Sequence, residues 1–234
     1  MLAARAQEGP APLDEPEQKK LIEDMKARAL QYSKELPNFA CVQVTRKNVD
    51  PTGSSRHWKL TETVHEELIS QGGKEEYTEV SPSGKKSSGE NRPAGLIAAS
   101  EFSDIVSWIF DPKYKGEFQW TKSDSLRGHR VQTVAYKIPN ETSQLTVGKK
   151  GQFKVGMVGV IDVDADTASI LRIAVVAMGL PKNAPVSVVS MEFHFDFSKI
   201  GDHYFLLPLK ADLQSKEAKA LMWNEVEFRE YRKP

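Results

Sequence analysis

From Gly116 to the C-terminus, short stretches of alternating apolar and polar residues follow one another, separated by turn residues. Alternation with a period of two is typical of strands with one buried face, and short connections join antiparallel neighbours. No strand–helix–strand order interrupts the run, which disfavours a doubly wound parallel sheet, and no long internal repeat indicates a propeller or solenoid. We therefore predict one large curved antiparallel sheet. Its predicted strands are 117–122, 129–138, 144–147, 157–163, 169–178, 186–197, 204–213 and 221–231.

Two amphipathic helices are predicted in the first half of the chain. The first follows a capping box at Asp14 and Glu17, and Pro37 ends it. Its apolar positions are Leu21, Met25, Ala29, Tyr32 and Leu36. The second helix spans 99–110, with one apolar stripe of Phe102, Ile105, Val106, Ile109 and Phe110. Strands at 39–49, 57–66 and 75–80 and a loop at 82–95 lie between them, so the fold class is α+β.

Composition limits the partners more than the chemistry. The 32 basic and 32 acidic residues cancel, which gives no electrostatic footprint for nucleic acid. Cys41 is the single cysteine, so no internal disulfide forms and we expect a buried thiol at the start of a strand.

The N-terminus suggests export. Ala4-Arg5-Ala6 followed by a polar, proline-rich stretch is typical of the end of a secretory signal, although an ordinary disordered tail fits as well. We assign residues 1–16 to such a tail or signal remnant and residues 17–234 to a single domain. The expected location is the periplasm or cell envelope.

A polar row on the strand 186–197 is the best candidate for chemistry. Glu192, His194 and Asp196 alternate with aromatic residues, and a loop at 199–201 is predicted to place Phe195 opposite Phe205 and Phe193 opposite Leu207. His203 then points to the other face, so the polar residues of this hairpin do not all converge. The row forms a metal-dependent hydrolase site only if another element supplies ligands; otherwise it is the solvated face of a sheet.

Other motifs lack the residues that their chemistry needs. Asp162-Val-Asp164-Ala-Asp166 begins like a calcium loop, but Thr167 stands where glycine is required, so we interpret it as an aspartate-rich turn. Gly84-Lys85 lacks the first glycine of a phosphate-binding loop. No cofactor and no metal is predicted.

Several short motifs resemble a large group of uncharacterised exported bacterial proteins. They are Gly159-Val-Ile-Asp162, Leu171-Arg172-Ile173, Ile200-Gly201, Tyr204-Phe-Leu-Leu-Pro208, Asn224-Glu-Val-Glu-Phe228, Tyr231 and, at the end of the first helix, Leu36-Pro-Asn-Phe-Ala-Cys41. More distantly, the order of helix, strands, second helix and long meander is similar to that of the outer-membrane lipoprotein-sorting proteins, LolA-like and RseB-like.

The distant resemblance implies a half-barrel, in which an unclosed antiparallel sheet covers an apolar concavity and the two helices pack on its concave face. It also implies a non-enzymatic periplasmic protein that binds a lipid, an acyl chain or a lipoprotein-like apolar ligand and meets the membrane only peripherally. Alternating apolar positions suggest a lining of Phe118, Trp120, Met191, Phe193, Phe195, Phe205 and Leu207, with Phe197 and Leu209 beside them. The predicted plug is the stripe of Phe102, Ile105, Ile109 and Phe110.

Two alternatives stay open from the sequence. A sensor or scaffold that binds an envelope protein has the same fold with its concavity filled by its own helices. A metal-dependent hydrolase uses Glu192, His194 and Asp196.

Overall fold

The structure is a computed structural model that describes residues 12–72, 74–80, 86–88, 100–148 and 151–234, with the backbone alone at 79 and 86–88. The described chain forms helices α1 (Glu15–Glu35) and α2 (Ser100–Phe110), and a short 3-10 helix at Pro112–Tyr114. The strands are β1 (Phe39–Asp50), β2 (Lys59–Gln71), β3 (Lys74–Val80), β4 (Lys86–Ser88), β5 (Glu117–Leu126), β6 (His129–Ile138), β7 (Thr146–Val147), β8 (Phe153–Lys154), β9 (Gly156–Asp164), β10 (Ile170–Met178), β11 (Val186–Ile200), β12 (His203–Glu217) and β13 (Ala220–Arg232).

Eleven strands form one sheet in the order β4-β3-β2-β1-β13-β12-β11-β10-β9-β6-β5. Every neighbouring pair is antiparallel. The edge strands β4 and β5 do not pair with each other, so the sheet stays open. The α+β class and the large unclosed antiparallel sheet predicted from the sequence are therefore confirmed. Strands β7 and β8 form a separate two-stranded ribbon.

The first and last strands of the chain lie side by side in the middle of this sheet. Strand β1 lies between β2 and β13, so the first strand pairs with the last, for example at Thr45 and Val226. The prediction of β2 at 57–66 was too short at its C-terminal end, because the strand continues to Gln71 to form a hairpin with β3. Residues 1–11 and most of the predicted loop at 82–95 lie outside the described residues.

Local signals determine where α1 begins. The Asp14 carboxylate accepts a hydrogen bond from the Glu17 amide at 2.9 Å, and the Glu17 carboxylate accepts one from the Asp14 amide at 3.0 Å. This capping box starts the helix at Glu15, two residues before the predicted domain boundary at 17. Neither described helix is long and apolar enough to cross a membrane.

The predicted register of the β11–β12 hairpin is wrong. Its loop has two residues, Gly201 and Asp202, rather than three, and Gly201 adopts a φ of 62°. Ile200 therefore pairs with His203, and the same register places Phe195 opposite Pro208 instead of Phe205. A bulge between His194 and Phe195 then shifts the pairing by one residue. Phe193 pairs with Ala211 instead of Leu207, and Met191 pairs with Leu213.

The core lies between the concave face of the sheet and the two helices. Phe102 of α2 is fully buried, and its ring meets Phe193, Phe195 and Phe228 edge-on at centroid distances of 5.0, 5.2 and 5.4 Å. Edge-to-face contacts of this kind add to the free energy gained by burying the rings. The apolar stripe of α2 therefore covers the middle of the sheet, as predicted.

We expect Gly159→Ala to destabilise the fold strongly. A Cβ at this position of β9 would lie 1.8 Å from the Ala174 carbonyl oxygen, which belongs to the neighbouring backbone and also accepts a hydrogen bond from the Tyr136 hydroxyl. The strand must therefore shift, at a cost of about 3 kcal/mol in the free energy of unfolding. Urea denaturation measures this cost.

Gly72→Ala is the matched control. Gly72 has a φ of 59°, but apart from its chain neighbours no described residue has an atom within 4 Å of an added Cβ, so only backbone strain of about 1 kcal/mol is expected. Equal losses in the two variants would contradict close packing at Gly159.

Candidate apolar binding site

A cavity of about 190 Å³ opens between α1 and the end of the β11–β12 hairpin. Most of its wall is apolar. The lining residues are Arg28, Ala29, Tyr32 and Glu35 of α1, Val106 of α2, Ser169 and Ile170 before and in β10, and Phe195, Phe197, Tyr204, Phe205 and Leu206 of the hairpin. The site therefore belongs to the concave side of the sheet, where the helices leave part of that side uncovered.

The helical wall of the cavity comes from the apolar stripe of α1. Ala29 and Tyr32 are both buried, and the Tyr32 ring meets Phe195 edge-on at 5.4 Å. Burial raises the pKa of the Tyr32 phenol well above its usual range, and its hydroxyl has no hydrogen-bond partner among the described residues. Arg28 and Glu35 lie at the rim, where water reaches their charged groups.

Two aromatic side chains of the opposite wall are exposed at the protein surface. Tyr204 is 68% exposed and Phe197 is 38% exposed, although both are large. Large apolar groups clustered at the mouth of a cavity are unusual on a surface that meets only water, and they mark binding sites.

The predicted lining residues divide into two groups. Phe195 and Phe205 line the cavity, whereas Phe118, Trp120, Met191, Phe193 and Leu207 do not. Phe193 and Leu207 are buried in the protein's own core. At the sheet edge, Phe118 stacks on Phe110 at 5.5 Å, and Trp120 donates a hydrogen bond to Gln132 at 2.8 Å. A ligand-binding role for the predicted lining residues stays a prediction.

The predicted plug residues Phe102, Ile105, Ile109 and Phe110 are all buried. None of them lines the cavity, whereas Val106 of the same helix does. Sequence reasoning missed Ala29 and Tyr32 because it assigned the first helix no role in binding, and it also missed Leu206 of β12. The available signal was a lone tyrosine on the apolar stripe of that helix.

The row Glu192, His194 and Asp196 forms an ion-pair network with two arginines. His194 Nδ1 accepts a hydrogen bond from Arg127 Nη1 at 3.0 Å, and Arg127 Nε lies 3.4 Å from Asp196 Oδ2. His194 Nε2 lies 2.6 Å from Glu192 Oε1, without the alignment of a good hydrogen bond. Arg172 Nη1 lies 3.4 Å from the same Glu192 oxygen.

This network does not suit a metal ion. Guanidinium groups approach both His194 and Glu192, and cations there oppose a metal. No group of three or more His, Cys, Asp or Glu side chains within the described ranges could hold one. The hydrolase alternative therefore lacks support from the geometry.

The three aspartates at 162–166 each bind different partners, as the turn interpretation predicts. Asp162 binds Arg172 at 2.6 Å, and Asp166 binds Arg130 at 2.5 Å. Asp164 accepts hydrogen bonds from the amides of Asp166 and Thr167, which closes the turn between β9 and β10. The Cys41 thiol is fully buried, as expected, and burial raises its pKa to about 12.

The sequence matches no protein-family model and no curated protein. Solved structures with a similar arrangement include a DUF1329 family protein from Desulfovibrio piger, at a TM-score of 0.41 and 10% identity, with 91% of this chain and 92% of that chain covered. A putative outer membrane lipoprotein-sorting protein domain from Vibrio parahaemolyticus has a TM-score of 0.41 and 10% identity, with 94% of this chain and 93% of that chain covered. Lipoprotein LppX from Mycobacterium tuberculosis has a TM-score of 0.33 and 8% identity, with 94% of this chain and 98% of that chain covered.

One of these structures is a lipoprotein-sorting protein domain, the class that the sequence was predicted to resemble. Because the TM-scores are below 0.5 and the identities near 10%, the likeness assigns no ligand to this chain.

We expect Glu192→Gln to lower stability at neutral pH but not in acid. Contact with His194, with help from Arg172, lowers the pKa of the Glu192 carboxyl from 4.5 to about 2. Its contribution is therefore complete above pH 4.5 and is lost as the pH falls toward 2. Because the side chain is 37% exposed, solvent screening reduces the contribution to about 1 kcal/mol.

Urea denaturation of both proteins across this pH range measures the difference. Substitution of the exposed Glu23 by glutamine is the control and should cost little at any pH. A Glu192→Gln deficit that persists unchanged into acid would contradict the role of the carboxylate charge.

Proposed function

We propose that this chain is an exported, non-enzymatic binding protein for a lipid, an acyl chain or the acylated end of a lipoprotein. One observation carries the proposal. The cavity between α1 and the β11–β12 hairpin is lined mainly by aliphatic and aromatic side chains, with the charged groups of Arg28 and Glu35 at its rim. A site of this composition gains binding free energy from apolar burial, about 0.8 kcal/mol for each methylene group.

The size of the cavity limits what enters it in this conformation. Engineered cavities of about 150 Å³ accept benzene, whereas sites that bury a whole drug-sized ligand measure about 300 to 1,000 Å³. A cavity of about 190 Å³ therefore accepts the end of a chain or one bulky apolar group. A longer acyl chain needs the hairpin or α2 to move.

Two exposed aromatic residues support entry at this point. Tyr204 and Phe197 stand beside the opening, so an apolar ligand would cover their exposed faces as it inserts. That coverage enlarges the apolar area removed from water beyond the cavity itself.

A sensor or scaffold that binds an envelope protein is the second candidate. The burial of Phe102 against Phe193, Phe195 and Phe228 favours it, because the chain's own helix fills the middle of the concavity. In that case the exposed aromatics would contact a partner protein and the small cavity would hold no lipid.

Filling the cavity separates the two candidates. We expect Ala29→Phe to place a ring in the space next to Tyr32 and to weaken binding of the apolar fluorophore phenylnaphthylamine by about tenfold, equivalent to 1.4 kcal/mol. Ala27→Phe is the matched control, since Ala27 is exposed on the same helix outside this cavity. Circular dichroism verifies that both variants remain folded.

Mass spectrometry of lipids extracted from gently purified protein identifies the natural ligand. Absence of amphiphile, together with probe binding that is the same in both variants, would contradict the carrier proposal and favour the sensor.

A further inference from the structure

The β11–β12 hairpin extends beyond the sheet that carries it. Strand β10 pairs with β11 only as far as His194, and β13 pairs with β12 only as far as Lys210. The segment 195–209, which we call the arm, keeps pairing with itself alone up to its turn. Its two outer edges have no neighbouring strand in the described sheet.

Arg127 holds one side of the base of the arm. Its Nη2 donates to the Phe195 carbonyl at 2.5 Å and approaches the Leu171 carbonyl of β10 at 3.4 Å. Its Nη1 donates to His194 and its Nε faces Asp196. The guanidinium therefore occupies the place where the β10–β11 ladder stops and donates hydrogen bonds to carbonyls of both strands.

Arg127 lies at the tip of the β5–β6 hairpin. It belongs to the two-residue turn between these strands, where Arg127 and Gly128 have φ values of 49° and 85°. Positive φ at both central residues is what a type I′ hairpin turn requires. Only a planar group with several donors can bind two carbonyls, an imidazole and a carboxylate together.

Tyr231 holds the other side of the base. Its hydroxyl donates to the Pro208 carbonyl at 2.6 Å, and its ring meets Phe39 edge-on at 5.3 Å. Pro208 is the direct partner of Phe195 in the arm, and proline has no amide hydrogen for a strand on its outer edge. The pair at the base of the arm is thus fixed from both sides by side chains rather than by strands.

The arm is also one wall of the cavity. Five of the lining residues belong to it, and they are Phe195, Phe197, Tyr204, Phe205 and Leu206. Any displacement of the arm from α1 would open the cavity toward solvent.

We infer that Arg127 is a positioning residue for the binding site, which holds the arm against α1 and sets how fast an apolar ligand leaves. This inference rests on the proposed function for its ligand, but the attachment of the arm is measurable without one. Arg127 touches no lining residue except Phe195 among its described hydrogen bonds and ion pairs, so it acts through the wall and not through ligand contact.

The experiment compares Arg127→Gln, Arg127→Lys and Arg130→Gln with the unchanged chain. Arg130 is the matched control because it lies on the same hairpin, is exposed and pairs only with Asp166 among the described residues. Hydrogen exchange of the arm amides 196–206 is measured against that of β9, and stopped-flow mixing gives the dissociation rate of phenylnaphthylamine.

For Arg127→Gln we expect arm exchange and probe dissociation to accelerate about tenfold, since hydrogen bonds to a charged group are lost, while β9 stays protected. Arg127→Lys should accelerate both rates by less than Arg127→Gln does, because an ammonium keeps the charge but cannot bind both carbonyls. Arm exchange in Arg127→Gln that equals that of Arg130→Gln would overturn the inference.

Tyr231→Phe keeps the test decisive if Arg127→Gln does not fold. It removes one hydroxyl and should also loosen the arm selectively; unchanged arm exchange in this variant would refute an arm held at its base. A loosened arm in a chain that binds no probe would reject the proposed function alone. Probe binding with unaltered arm exchange and release would reject the role of Arg127 alone.

Discussion

The structure depends on covering the inner face of an open sheet. An antiparallel sheet that does not close on itself leaves one apolar face toward water unless other elements bury it. Here α1 and α2 supply that cover, and Phe102 stands where three aromatic residues of β11 and β13 converge. Burying one such side chain contributes about 1.5 to 3 kcal/mol, so this contact alone is a large part of a typical net stability.

The cover is incomplete at one end, and the candidate site lies there. Beyond His194 and Lys210 the hairpin has no described strand beside it, and its aromatic residues face α1 across the cavity. The exposure of Tyr204 follows from the same departure, because no strand or helix among the described residues covers the tip of the arm. The proposed binding site and the proposed movable wall thus have one structural origin.

The outer face of the sheet has a different role. Its polar side chains pair across strands, as Arg172 does with Asp162 and Arg46 with Glu227. Exposed pairs such as Arg46–Glu227 contribute little each, but together they keep the outer face hydrated and disfavour a second apolar layer. The Glu192–His194 row belongs to this pattern, apart from its contact with Arg127 at the base of the arm.

Local chemistry in the sequence determined the elements. The capping box at Asp14, the stop at Pro37, the period of α2 and the alternation after Gly116 predicted both helices and most strands, because each signal acts within a few residues. Tertiary structure decided what these elements do together. The pairing of β1 with β13 and the contact of Arg127 with His194, 67 residues away, join distant positions that no local pattern relates. The sequence alone also did not determine the register of the β11–β12 hairpin, because several alignments of the two strands match apolar residues. The two-residue turn at Gly201 and the bulge next to Phe195 select one of these alignments.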